Sequence, residues 1–194
     1  MMTTEFKIVE EPSKPLAMHP KKFAMWLLIA SVSMLFAALT SAYIVRQAEG
    51  NWLYFELPAM LYWTTGVILL SSITLHLGYR YAKRDQIENL KLMVGITAAL
   101  GLVFLAGQVM AWKDLVAHSV YFVGNPSGSF LYVLTGLHGL HIVSALVYLV
   151  IVLISAYRLK ISSHNLVQLE MCVTYWHFLG GLWLYLFVFL ILNQ

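Results

Sequence analysis

Five long, almost uninterrupted apolar stretches constrain this chain more than anything else in it. They run from about Phe23 to Val45, Leu57 to Leu77, Leu90 to Val109, Phe130 to Tyr157 and Leu169 to Leu192. A hydrocarbon layer about 30 Å thick takes about 20 apolar residues of helix to cross. None of the stretches alternates with period two, so a barrel is not expected. Helices satisfy their own backbone groups, which lipid cannot do. The expected fold is an all-α integral membrane protein, a five-transmembrane-helix bundle.

Composition agrees. The 194 residues are 60% hydrophobic and 11% charged, where a soluble domain carries about 25% charged residues. A water-facing surface cannot be built from so few charges, and the formal net charge of +3 is not a nucleic-acid patch. The basic residues mark topology instead. Lys7, Lys14, Lys21 and Lys22 precede span one; Arg80, Lys83, Arg84 and Lys91 lie between spans two and three; Arg158 and Lys160 lie between four and five. Only Arg46 and Lys113 fall on the other side. The positive-inside rule then puts the N-terminus in the cytoplasm and the C-terminus outside.

Residues 1–22 read as a polar cytoplasmic tail and 23–194 as one membrane domain. The tail has three glutamates, four lysines and Pro12, Pro15 and Pro20, without the short apolar core and small-residue cleavage site of a signal peptide. The single Cys172 rules out an internal disulfide and reads as a small buried hydrophobe. Gly124-Asn-Pro-Ser-Gly128 reads as a turn before span four, and Trp52, Tyr54 and Trp63 as interfacial aromatics. In span one, Ser33, Ala37 and Ser41 form a small-residue strip that lets helices approach closely; Gly95, Gly101 and Gly107 in span three are a weaker version.

The polar residues inside the spans carry the functional question, because ionisable groups in hydrocarbon need a partner or a purpose. Thr135, His138 and His141 share one face of span four, roughly continued by Ser144 and Tyr148; Glu170, Thr174 and His177 share one face of span five. A short loop joins these spans, so the two stripes are expected to meet as a hydrogen-bonded ladder, with a water or lipid head group at its inner end. His141 lies ~16 Å from the outer end of span four and His177 ~12 Å from the inner end of span five. A histidine in a bundle is ordinarily a packing residue with neutral partners or carbonyl acceptors. His76, at the inner end of span two, reads as snorkelling or capping. A two-haem anchor of the cytochrome b kind needs histidines on different helices at matched depth, and His138 and His141 are one turn apart on one helix. Metal binding by His-x-x-His lacks the softer or charged co-ligands. A transporter would show broken helices and a central charged site.

Thr135-Gly-Leu-His-Gly-Leu-His-Ile-Val143 resembles the T-G-x-H-G-x-H segment of subunit III of the haem-copper oxidases. Glu170, Tyr175-Trp-His-Phe178 and Trp183 resemble that family's last helix, E-x-x-x-x-Y-W-H-F-x-D-x-x-W. Phe55-Glu-Leu-Pro58 and Gly128-Ser-Phe130 fit as well. Five helices resemble the short bacterial form, which lacks the first two helices of the seven-helix form. The resemblance implies an accessory, non-redox subunit of a proton-pumping terminal oxidase, cytochrome c oxidase, in the bacterial cytoplasmic membrane. It implies no haem or copper in this chain; both are expected in the catalytic subunit I beside which it packs, with subunit II reached through the complex. Bound phospholipid, stability in turnover and proton uptake are the associated roles. No catalytic or metal residue is expected here; Gln108, Trp176 and Trp183 become candidates for lipid or subunit contact. The family's buried glutamate in the first of these helices is Val32 here, its aspartate after W-H-F is Gly180, and its glutamate-tyrosine pair ending span three is Ala111-Trp112, while Gln108 matches. A quinol oxidase subunit III and a five-helix protein assisting nitric oxide reductase are the near alternatives; a haem-b electron-transfer anchor is a different class.

Overall fold

The computed structural model describes residues 20–158 and 165–193; most of the tail, Lys160 and Gln194 lie outside the described residues. Five helices fill it: α1 (Pro20–Ala48), α2 (Ala59–Lys83), α3 (Ile87–Ala117), α4 (Pro126–Tyr157) and α5 (Val167–Leu192). All five are long and apolar enough to cross a membrane. Each outruns the stretch read from hydropathy by a few residues at one or both ends. The extra turns carry Lys21, Lys22, Arg80, Lys83 and Lys113.

The helices alternate in direction. α5 packs on α1, α2 and α4, and α4 on α1, α3 and α5, whereas α1 touches only α4 and α5 among the described helices. The apolar stretch of α5 is 56% buried and that of α1 only 17%. A hydropathy profile cannot rank them in this way, because lipid-facing and buried positions are equally apolar. Trp176 and Trp183 of α5 are the largest enclosed side chains.

Close approach occurs on α3 rather than α1. Ser33, Ala37 and Ser41 are all exposed, and Ser33 Oγ donates back to Ile29 O at 2.8 Å. That strip is therefore unused within the chain. Gly101 lies against Trp176, whose Cη2 would sit 2.8 Å from an added Cβ, and Gly107 lies against Thr64. Gly95 has open space beside it.

At the end of the bundle where α4 begins, Asn125 fastens the bend into that helix. Its Oδ1 accepts from Ser127 N at 3.0 Å and from Leu53 N at 3.3 Å, while Nδ2 donates to Asn51 O at 3.3 Å. With Pro126 opening the helix, the expected turn is an N-cap. Gly128 is required there, since a Cβ would meet Tyr121 O at 2.6 Å. Trp52 is half-buried and packs edge-on against Tyr43, centroids 4.7 Å apart. Trp63 and Tyr54 are exposed.

Candidate functional site: the polar seams around α5

The described structure does not join the expected residues into a ladder between α4 and α5. The α4–α5 seam is joined by the continuation of the α4 stripe, the Ser144–Tyr175 hydroxyl pair at 2.9 Å and Tyr148 OH donating to Gln168 O at 3.1 Å. Of the six residues expected to form one intramembrane network (Thr135, His138, His141, Glu170, Thr174, His177), Glu170 and Thr174 are hydrogen-bonded, through Thr174 Oγ1 to Glu170 O at 2.8 Å. The polar stripe of α5 turns instead toward α1 and α2.

Glu170 is the clearest case. Its carboxylate accepts from Lys22 Nζ of α1 and from Tyr79 OH of α2, the latter at 3.1 Å. Three helices thus meet on one acid at the end of the bundle where α1 begins, where Lys22, Met25, Tyr79, Glu170 and Thr174 line a cavity of about 300 Å³. His177, about two turns further along α5, lies beside His76 of α2, ring centroids 6.1 Å apart. His76 neither caps a helix nor stands alone; it shares a seam with the histidine that sequence reading paired with α4. Lys22 and Glu170 are both partly exposed, so the pair contributes no more than ~1 kcal/mol, but it is one of few ties on α1. Replacing Lys22 with Met should speed hydrogen–deuterium exchange in the inner turns of α1 and leave α3 and α4 unchanged. Unaltered exchange in α1 would remove this role.

Deeper in the bundle, three tryptophans each donate to a hydroxyl on another helix. Trp176 Nε1 reaches Ser71 Oγ at 3.0 Å, Trp183 Nε1 reaches Thr65 Oγ1 at 2.9 Å, and Trp112 Nε1 reaches Thr135 Oγ1 at 3.0 Å. Each hydroxyl in turn donates at 2.7 Å to a carbonyl of its own helix, Ile68 O, Leu61 O and Leu131 O. Buried indoles require such acceptors. The small hydroxyls of α2 were the available signal, and they were passed over because alone they look like ordinary helix residues. Trp112, which departs from the family pattern, is the donor that engages Thr135. Gly180 packs on the α2 seam, 3.2 Å from Ser72 Oγ at an added Cβ.

His138 is fully enclosed among Phe36, Phe104 and Trp183, with centroids 6.4, 6.0 and 5.1 Å away. His141 turns to its own helix, Nδ1 lying 2.7 Å from Leu137 O, and packs on Phe36. Gln108 Nε2 donates to Thr64 Oγ1 at 3.3 Å. Cys172 is buried and free. Gln108, Trp176 and Trp183, expected at a lipid or subunit contact, are enclosed by this chain's own helices. Among the described residues, no group of three or more His, Cys, Asp or Glu side chains is placed to hold a metal ion.

The family model for cytochrome c oxidase subunit III matches residues 13–193. The probable cytochrome c oxidase subunit 3 of Nocardia farcinica is 33% identical over 174 residues, covering 84% of this chain and 82% of the relative. That of Mycobacterium tuberculosis (strain H37Rv) is 31% identical over 173 residues, with the same coverage. The probable quinol oxidase subunit 3 of Staphylococcus saprophyticus is 26% identical over 172 residues, covering 86% of this chain and 85% of the relative. With this match along nearly its whole length and five membrane-crossing helices, the chain belongs to the cytochrome c oxidase subunit III family and is a multi-pass membrane subunit of a terminal oxidase complex.

Proposed function

We propose that this chain is the accessory, non-redox subunit III of a proton-pumping cytochrome c oxidase in the bacterial cytoplasmic membrane. It packs beside catalytic subunit I, which holds the haem and copper and reduces oxygen to water, and it reaches subunit II through the complex. The observation that carries this reading is the family match over residues 13–193, together with polar groups spent on joining helices: indoles to hydroxyls, and Glu170 to Lys22 and Tyr79. The basic residues Lys22, Arg80, Lys83, Arg84 and Lys91 support a cytoplasmic inner end. The cavity at Lys22, Tyr79 and Glu170 supports phospholipid head-group binding, and its place at the inner surface is consistent with support of proton uptake.

Purification in mild detergent through this chain tests the proposal. A large multi-histidine membrane subunit should co-purify and account for every haem band of the preparation. A Soret band belonging to this polypeptide alone, or the absence of that subunit, would overturn it. A quinol oxidase is the second reading, favoured by the Staphylococcus relative's name. The purified complex decides by oxidising reduced cytochrome c or a quinol.

A further inference from the structure

Three polar atoms in the middle of the bundle have no hydrogen-bond partner among the described residues: both ring nitrogens of His138 and Oε1 of Gln108. Their side chains are enclosed, at 0% and 3% exposure. An unpaired buried donor or acceptor costs about 1–3 kcal/mol, and hydrocarbon around the bundle offers no relief. Groups of this kind are met in folded proteins by protein partners or by ordered water.

The orphan atoms belong to one layer. Phe104 stands one turn before Gln108 on the same face of α3. Its ring is edge-on to both His138 and Trp183, at 6.0 and 5.1 Å, and the His138 and Trp183 rings are 5.1 Å apart. Trp183 donates to Thr65 and Gln108 donates to Thr64, its neighbour in sequence. His138 thus touches the indole directly, and Gln108 is linked to it through the consecutive residues Thr64 and Thr65 of α2. The two glycines beside His138 leave room on the α3–α4 seam for no more than a methyl group in ordinary contact: an added Cβ at Gly139 would lie 3.9 Å from Leu105, and one at Gly136 3.7 Å from Trp112. His141 solves its own problem through the carbonyl four residues back, with Leu137 O 2.7 Å from Nδ1. His138, clamped by three aromatic rings, does not do the same with Leu134 O.

We propose that the core between α3, α4 and α5 is a binding site for internal water, hydrogen-bonded to His138 and Gln108. One water donates one O–H to the bare imidazole nitrogen and the other to Gln108 Oε1. A second accepts the imidazole N–H. The Thr135-Gly-Leu-His138 segment is thereby held to α3 twice, by Trp112 on Thr135 and by water on His138.

The test is a map of the intact oxidase complex, purified through this chain, at a resolution that shows ordered water. Density is expected within about 2.7–3.2 Å of both a His138 ring nitrogen and Gln108 Oε1. A dry site, with His138 bonded to Leu134 O or with the ring nitrogens still unpaired, overturns the proposal. Melting of the complex provides a second reading. Because His138→Leu and Gln108→Leu each remove one side of the bridge, the double variant should melt no lower than the worse single variant. Losses that simply add would overturn the bridge.

Discussion

Replacing Trp183 with Ala should be among the most damaging single changes in this chain, lowering stability by about 3–5 kcal/mol. The indole is fully enclosed and packs edge-on against Phe104, parallel to Phe187 at 6.5 Å and beside His138. Unfolded helices remaining in lipid lose little hydrophobic driving force, so the loss comes from vanished contacts and an unfilled cavity. Trp183→Phe separates the two contributions: it keeps most of the ring and removes the donor to Thr65, costing about 1 kcal/mol, as interhelical hydrogen bonds in membranes do. Detergent-titrated unfolding of the complex, followed by release of this subunit, measures both. Near-equal losses for the two variants would show that the hydrogen bond, not the packing, dominates.

Gly107→Val should be the next most damaging. A Cβ there overlaps Thr64 Cγ2, and Thr64 cannot step aside: its hydroxyl donates to Leu61 O at 3.1 Å and accepts from Gln108 Nε2. Overpacking of this kind costs about 1–3 kcal/mol, and the upper end is expected because the obstacle is tethered to backbone. Gly95→Val meets nothing within 4 Å and should leave the melting temperature nearly unchanged. Combining Gly107→Ala with Thr64→Ala should recover most of the loss of Gly107→Ala alone, because the two positions are in contact. Equal effects at positions 95 and 107 would contradict the close approach of α2 and α3.

The number, order and approximate ends of the helices were legible in hydropathy because the thickness of the hydrocarbon layer sets one length for all of them. The family was legible in the spacing of Thr135, His138 and His141 and of Glu170, Tyr175, Trp176 and His177. Neighbour choice was not. A short loop suggested that the stripe on α5 would face α4, yet Glu170 and His177 turn to α1 and α2, because rotation about a helix axis is fixed by which large side chains fill the core. Trp176 and Trp183 point at α2, and Glu170 and His177 are carried toward the α1 and α2 seams. The same reasoning explains why the strip at Ser33, Ala37 and Ser41 looked important and lies outside the bundle, whereas Gly101 and Gly107, chosen by a neighbouring Trp and Thr, do the packing.

The three indole-to-hydroxyl joints carry no formal charge, so neither ionic strength nor the voltage across the bilayer has a handle on them. Rising salt should leave the α2–α5 and α3–α4 clasps intact and weaken the Lys22–Glu170 tie, so that among the described residues the attachment of α1 is the one that follows the ionic strength of the medium bathing its N-terminal end.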